Sequence, residues 1–257
     1  QGWINITNNF DGMGMSLGLL QQNFGSGSLQ PLLLKFRTQD RNQMQSFFAN
    51  SDFTSLENML LQNSFMAALA EEEESPELFP NKMSLSPLDE SPMGFSAFSS
   101  SSGSVNWAVG QLYAGGDGRT FIPRWKNSFQ SMANSASYRS LQVESAVRLY
   151  KKAQNYFQTF GFREFRSMLL MYDFVVQNGG FNSTHLSLFN AYKQSNPQAS
   201  ETERAMKLLE IRLTSVRTQY RGDVYARKST IILGTGKVHG NTRNMPKEFC
   251  YNPNDVI

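Results

Sequence analysis

Cysteine is all but missing from this chain. Cys250 is the single one in 257 residues, so no disulfide can close within the chain and no thiolate cluster can hold a metal. A small apolar residue, buried or close to the chain end, is the simplest role for it. Histidine is nearly as scarce. His185 and His239 are the only two, no H-E-x-x-H pattern occurs, and zinc catalysis is not expected. No G-x-S-x-G elbow is present to set up a serine nucleophile. The Gly-x-Gly at Gly234 and Gly236 does not continue into a dinucleotide fingerprint. No apolar run reaches the roughly 18 residues of a membrane-spanning helix. The opening QGWINITNNF lacks both a charged and an apolar leader region. A start at Gln1 is expected of a processed, secreted or periplasmic chain, and equally of a truncated one. Lys and Arg do not run together among aromatics, and a net charge of +3 is too weak to point at nucleic acid. An isoelectric point near 8.9 is compatible with an anionic polymer such as a bacterial cell wall.

Apolar side chains are plentiful. A hydrophobic content of 40% with 12% aromatics supports a sizeable core and excludes a disordered chain. The length suits one large domain over 1–257, or a domain plus an insertion. Pro31 suits the first turn of a helix, and residues 40–49 and 52–70 read as two more, with Asp52 as an N-cap. Residues 71–104 change character. A carboxylate run, Glu71 to Glu74, leads into Pro76, Pro80, Pro87 and Pro92 and a Ser-rich tail. This is expected to be a surface insertion, its carboxylates a solvated face, that could cover a cleft. Residues 105–137 read as mixed, with a turn at Gly115-Gly116-Asp117-Gly118. Helices follow over 141–158, 162–177 and 201–220. The middle one is apolar nearly all round, which marks it as the buried centre, and Gly179 is its natural stop. A turn-rich tail closes the chain. The fold class is mainly α with a small β element.

The most unusual stretch is 8–34, NNFDGMGMSLGLLQQNFGSGSLQPLLL. Five glycines lie among amides, and Asp11 is the only acid in the first 39 positions. Such glycines permit positive φ and let backbone approach a ligand. Positions 16–23 read as a short ribbon with amides facing a groove; a tight Gly-rich turn closing a hairpin is the other reading. Two further carboxylates stand out. Glu144 is read as opening a helix, where backbone N–H groups favour its charged form. Asp173 lies inside the most apolar helix and must be paired, with Arg166, Arg204, Arg212 or Arg227 as partner. Gln177 and Asn178, at the end of that helix, are amides of the kind that suit sugar hydroxyls and N-acetyl groups.

Ser16-Leu17-Gly18-Leu19-Leu20-Gln21 resembles the S-x-G-L-M-Q segment of lysozyme-like enzymes, the goose-type lysozymes and soluble lytic transglycosylases. Asp-Gly-x-Gly-x-Ser-x-Gly over 11–18 is similar to the acidic Gly-rich hairpin of the related chitosanases. The longer string Asn9 to Leu33, and the tail from Arg227 to Gly240, resemble a bacterial, peptidoglycan-acting branch of that superfamily, with the deacetylation-specific lysozymes of periplasmic predators as one comparison. The resemblance implies a lysozyme-like α+β domain that cleaves β-1,4 bonds between amino sugars, with peptidoglycan, de-N-acetylated glycan or chitosan as substrate. It implies a secreted or periplasmic monomer with no cofactor, no metal and no nucleic-acid partner. Asp11 would be the second carboxylate of the reaction, and Ser16, Gln21 and Asn23 would touch substrate. The family's general acid is a Glu on a helix preceding the hairpin. No Glu precedes Asp11 here, so the acid is expected upstream of Gln1, from Glu144 or from the acidic insertion. Hydrolase and lytic transglycosylase are both open, as are a wall-binding protein that does not cleave and a purely structural helical domain.

Overall fold

A computed structural model describes residues 2–73 and 102–257, the side chains of 63–73 excepted. Most of the expected insertion over 71–104 therefore lies outside the described residues. The chain is mainly helical, with small antiparallel sheets. It divides into two compact units, Gln1–Ser145 and Ala146–Ile257. Among the described residues, no helix is long and apolar enough to cross a membrane.

The first unit opens with a 3-10 turn at Gly2–Ile4 and three two-residue strands: β1 (Ile6–Thr7), β2 (Ser16–Leu17) and β3 (Gln22–Asn23). They pair antiparallel in the order β1-β2-β3. Then come α1 (Gln30–Gln39), α2 (Arg41–Ser46), α3 (Asn50–Glu73), α4 (Ser102–Leu112), α5 (Pro123–Asn134) and the start of α6 (Ala136–Phe160). Pro31 stands in the first turn of α1, where its missing N–H costs nothing, and Leu32, Leu33, Leu34 and Phe36 bury the inner face. Asp40 caps α2 by accepting the Gln43 N–H at 2.8 Å. Asp52 is not a cap. The helix begins two residues earlier, at Asn50, and Asp52 instead accepts from Arg124 Nε of α5 at 2.9 Å.

The core of this unit is aromatic. Trp125 lies 5.6 Å from Trp107 and 5.9 Å from both Phe48 and Phe129, ring centre to centre. Edge-to-face and offset pairs of this kind add to the burial of their large apolar areas. At the core's margin Glu57 accepts from Arg37 at 2.6 Å and Arg41 at 2.7 Å, and the two guanidiniums hold its carboxyl down at about 2. Residues 105–137, expected to be mixed, are mostly α4 and α5, joined by the Gly115–Gly118 turn.

The second unit holds the rest of α6, then α7 (Phe165–Asn178), α8 (Ser183–Ser195), α9 (Glu201–Leu213) and α10 (Thr218–Leu233). A hairpin of β4 (Thr235–Val238) and β5 (Asn241–Asn244) and a short α11 (Met245–Phe249) follow. As the apolar pattern predicts, α7 is deeply packed, with Met168, Leu170, Met171, Phe174 and Val175 buried. Gly179 stops it in the left-handed region at φ 73°. The expected single helix over 201–220 is two helices. Thr214 Oγ1 donates to Ile211 O at 2.7 Å and Ser215 Oγ to Arg212 O at 3.1 Å, which ends α9 before Arg217 turns extended. The turn-rich tail forms the β4–β5 hairpin, whose turn residues His239 (φ 48°) and Gly240 (φ 81°) are both left-handed, as a two-residue hairpin turn requires.

Candidate functional site

The Gly-rich stretch folds as the three-stranded ribbon, with Thr7 opposite Ser16 and Ser16 opposite Asn23. Side chains of α6 clamp it. Gln142 Oε1 accepts the Leu19 N–H at 2.8 Å, and Gln22 Nε2 donates to Ser145 Oγ at 2.9 Å. Gly18 shows why glycine is required. Its φ is +82°, and a Cβ there would meet Gln142 Oε1 at 2.3 Å.

The expected substrate contacts on the ribbon are largely engaged in holding it. Ser16 is buried. Gln21, itself at φ 50°, accepts from Thr7 Oγ1 at 2.5 Å and donates to Gly18 O at 2.9 Å and Asn5 O at 3.2 Å. Asn23 Oδ1 accepts the Ser26 N–H at 2.7 Å and shapes the turn into α1.

Asp11 is exposed in the connection between β1 and β2, where its Oδ1 accepts the Met13 N–H at 3.1 Å. Glu144 does not open a helix. Ser135 starts α6 nine residues earlier, its Oγ accepting the Tyr138 N–H at 3.3 Å, so Glu144 stands in the third turn, beyond the helix-terminus field. Its carboxylate, 60% exposed, is paired with Lys35 of α1.

A different carboxylate stands in a turn that is tied to the β1–β2 connection. Asp117, in the Gly115–Gly118 turn, accepts the N–H groups of Arg119 at 2.7 Å and Thr120 at 2.9 Å, and these backbone bonds hold its carboxyl below the usual range. The buried Tyr113 phenol donates to Gly14 O at 2.5 Å. Burial pushes that phenol up; the Asn9 backbone N–H offsets part of this, and the charges of Asp11 and Asp117 add to it. The connections are zipped together as well: Asn9 N–H donates to Gly118 O at 2.9 Å and Asn8 Nδ2 to Arg119 O at 2.8 Å. The double-Gly turn around Asp117 was the sequence signal that could have found it.

Alongside β1 runs an open groove of about 590 Å³, lined by Thr7, Asn8, Arg119, Phe121, Pro123 and Lys126 among others. It continues past Ile6 and Lys126 into a section of about 340 Å³ beside Asn5 and Gln130.

No family model matches the chain, and no curated protein does.

Gln177 and Asn178 belong to the second unit. There Asp173, 8% exposed, accepts from Arg227 Nε at 2.8 Å and from Lys228 Nζ at 2.6 Å. Lys228 is fully buried, its ammonium also donating to Gln177 Oε1 at 2.7 Å and lying 4.7 Å from the centre of the Phe174 ring. Burial pulls its pKa down to about 8 against the attraction of Asp173. Arg227 was one of the partners expected for Asp173; Lys228 was not foreseen. Gln177 thus completes a buried charge cluster, while the Asn178 carbonyl accepts from Arg212 at 3.1 Å. His185 and Ser215 do not form a base and its nucleophile. His185 Nδ1 accepts the Asn182 N–H at 3.1 Å, so Nε2 carries the proton and donates to Ser215 Oγ at 2.9 Å. Among the described residues, no group of three or more His, Cys, Asp or Glu side chains could hold a metal.

Proposed function

We propose that the first unit is a lysozyme-like, glycan-acting domain that cleaves β-1,4 bonds between amino sugars of peptidoglycan in a secreted or periplasmic setting. The observation that carries this reading is the ribbon. The stretch that resembles lysozyme-like enzymes carries an exposed carboxylate near its start, Asp11, and β1 of the same ribbon borders an open groove of hydroxyl, amide and aromatic side chains. Glycoside cleavage needs one carboxyl to protonate the leaving oxygen and a second to serve as base, nucleophile or charge stabiliser. Asp11 takes the second role. Thr7 and Asn8, rather than the engaged Ser16, Gln21 and Asn23, offer the substrate contacts. Asp117, tied to two backbone N–H groups, keeps its charge and stabilises positive charge developing on the sugar.

One observation favours a second reading, a domain that binds glycan without cleaving it. The general acid requires a protonated carboxyl in an apolar setting, and Glu144 is a solvated partner of Lys35. Sedimentation with purified sacculi, combined with assay of soluble muropeptides, separates the two. Release of fragments supports cleavage. Saturable co-sedimentation without release supports binding alone. A chain that neither sediments nor releases fragments contradicts both.

A further inference from the structure

A net charge of +3 averages over an uneven division. The second unit, Ala146–Ile257, holds 16 of the 24 Lys and Arg but only 8 of the 21 Asp and Glu, so it carries +8 while the first carries −5. Part of the excess gathers where α9 ends and α10 begins. Arg212 donates to Asn178 O and Gly180 O, both at 3.1 Å, and Arg221 to Val216 O at 2.9 Å and Thr214 O at 3.2 Å. Carbonyl partners satisfy guanidinium N–H groups without cancelling the charge. Arg217, exposed at the start of α10, pairs with no carboxylate among the described residues. The acids of α7 and α10 are already engaged, Asp173 with Arg227 and Lys228, and Asp223 with His239 at 2.5 Å. Residues three and four apart on a helix are neighbours, which sets Tyr220 beside Arg217 and Tyr225 beside Arg221. The two tyrosines are 44% and 45% exposed, and among the described residues neither stacks on another ring.

We propose that this surface binds single-stranded nucleic acid, with Arg217 and Arg221 on its phosphates and Tyr220 and Tyr225 stacked on its bases. A guanidinium fork matches a phosphate, and the flat face of a base is open to a tyrosine only where the strand is unpaired. A membrane surface fits less well. Val224, Ile231 and Ile232 of α10 are buried in the unit and leave that helix no apolar face to insert. The site belongs to the second unit and does not rest on the glycan reading of the first.

The test is fluorescence anisotropy of a labelled oligothymidine titrated with the intact chain at several salt concentrations. Affinity falls as salt rises, and Arg217→Gln reduces the slope of log affinity against log salt by about 0.7, the value for one phosphate contact on a single strand. Tyr220→Ala and Tyr225→Ala each weaken binding about fivefold or more, the loss of one stacked base. All three positions are exposed, and circular dichroism establishes that each variant keeps the fold. The same oligomer paired with its complement, and vesicles of phosphatidylglycerol, bind more weakly than the single strand. No binding of oligothymidine at low salt overturns the inference. So does equal or tighter binding of the duplex or the vesicles. Binding that both tyrosine variants retain in full, or a salt slope that Arg217→Gln leaves unchanged, overturns it too, since either marks attraction to any polyanion. Release of muropeptides is measured separately, so the glycan reading stands or falls on its own.

Discussion

Single residues in this protein are placed by charge as much as by shape. Lys228 has no exposed surface and is kept by Asp173, Gln177 and the face of Phe174. A buried ion pair adds little when whole but costs much when broken. Asp173→Asn is therefore expected to destabilise the second unit by about 3–5 kcal/mol, measured by denaturant unfolding, because it leaves a buried cation without its counter-charge. Lys228→Met should cost less, since Arg227 still pairs with Asp173. The same lysine predicts a pH effect. Its folded pKa of about 8 lies below the ordinary 10.5, so between these values the unfolded chain holds more protons than the folded one. Stability contributed by this site should rise as pH climbs from about 8 to 10.5, and Lys228→Met should remove that slope. The sequence marked Asp173 as a buried acid in need of a partner, because an acid in an apolar helix has no other option. It could not single out Lys228, since nothing local distinguishes a lysine that will be buried whole from one that keeps its ammonium in water.

At the scale of elements, the ribbon and the caps decide the local architecture. Gly18→Ala should destabilise the first unit by about 1–3 kcal/mol, from left-handed backbone strain together with the clash on Gln142. Adding Gln142→Ala relieves only the clash, so thermal unfolding of the double variant should stay below that of Gln142→Ala alone. In the second unit the start of α8 depends on neutral His185, which accepts the Asn182 N–H while Asn182 accepts the His185 N–H. Burial, with the nearby Arg212 charge, lowers the His185 pKa below 6.5. The unfolded chain then takes up the proton first, so this contribution is complete above pH 6.5 and is lost as pH falls through the lower folded value. Amide protection factors at the start of α8, corrected for the intrinsic pH dependence of exchange, should fall on acidification and be insensitive to it in His185→Gln. Boundaries fixed by one residue were legible: Pro31 opens α1 and Gly179 stops α7. Boundaries made by side chains folding back were not. The helix break at Thr214 and Ser215, and the cap of α8 with histidine in place of the usual Glu or Gln, carry no strong local pattern.

For the whole molecule, length suits one large domain or a domain plus an insertion, and the chain clusters into two compact units. No proline or glycine linker marks the division, because it falls inside α6, between Ser145 and Ala146. The core of the first unit ends at Leu141 and that of the second begins at Ala153, while Val143, Val147 and Tyr150 between them are exposed. That the Gly-rich stretch forms a short ribbon was legible, since so many glycines need a backbone reason. Which of its side chains remain available was not. Gln21 has the right chemistry for a sugar, but its left-handed backbone and the Thr7 hydroxyl turn its amide inward. Asp117 lies more than a hundred residues from Asp11, and its turn is tied to the β1–β2 connection by the Asn9 N–H bond to Gly118 O, a contact that no local pattern announces. The central claim is that Asp11 is the working carboxylate of a glycan-cleaving unit. Its most direct test is the rate of muropeptide release from purified sacculi by the intact chain and by Asp11→Ala, with circular dichroism to check that loss of the Met13 N–H bond leaves the fold intact. The account predicts release by the intact chain and a loss of about 10²- to 10⁴-fold in the variant, the range for a positioned acid or base. Release at the same rate by Asp11→Ala would contradict it.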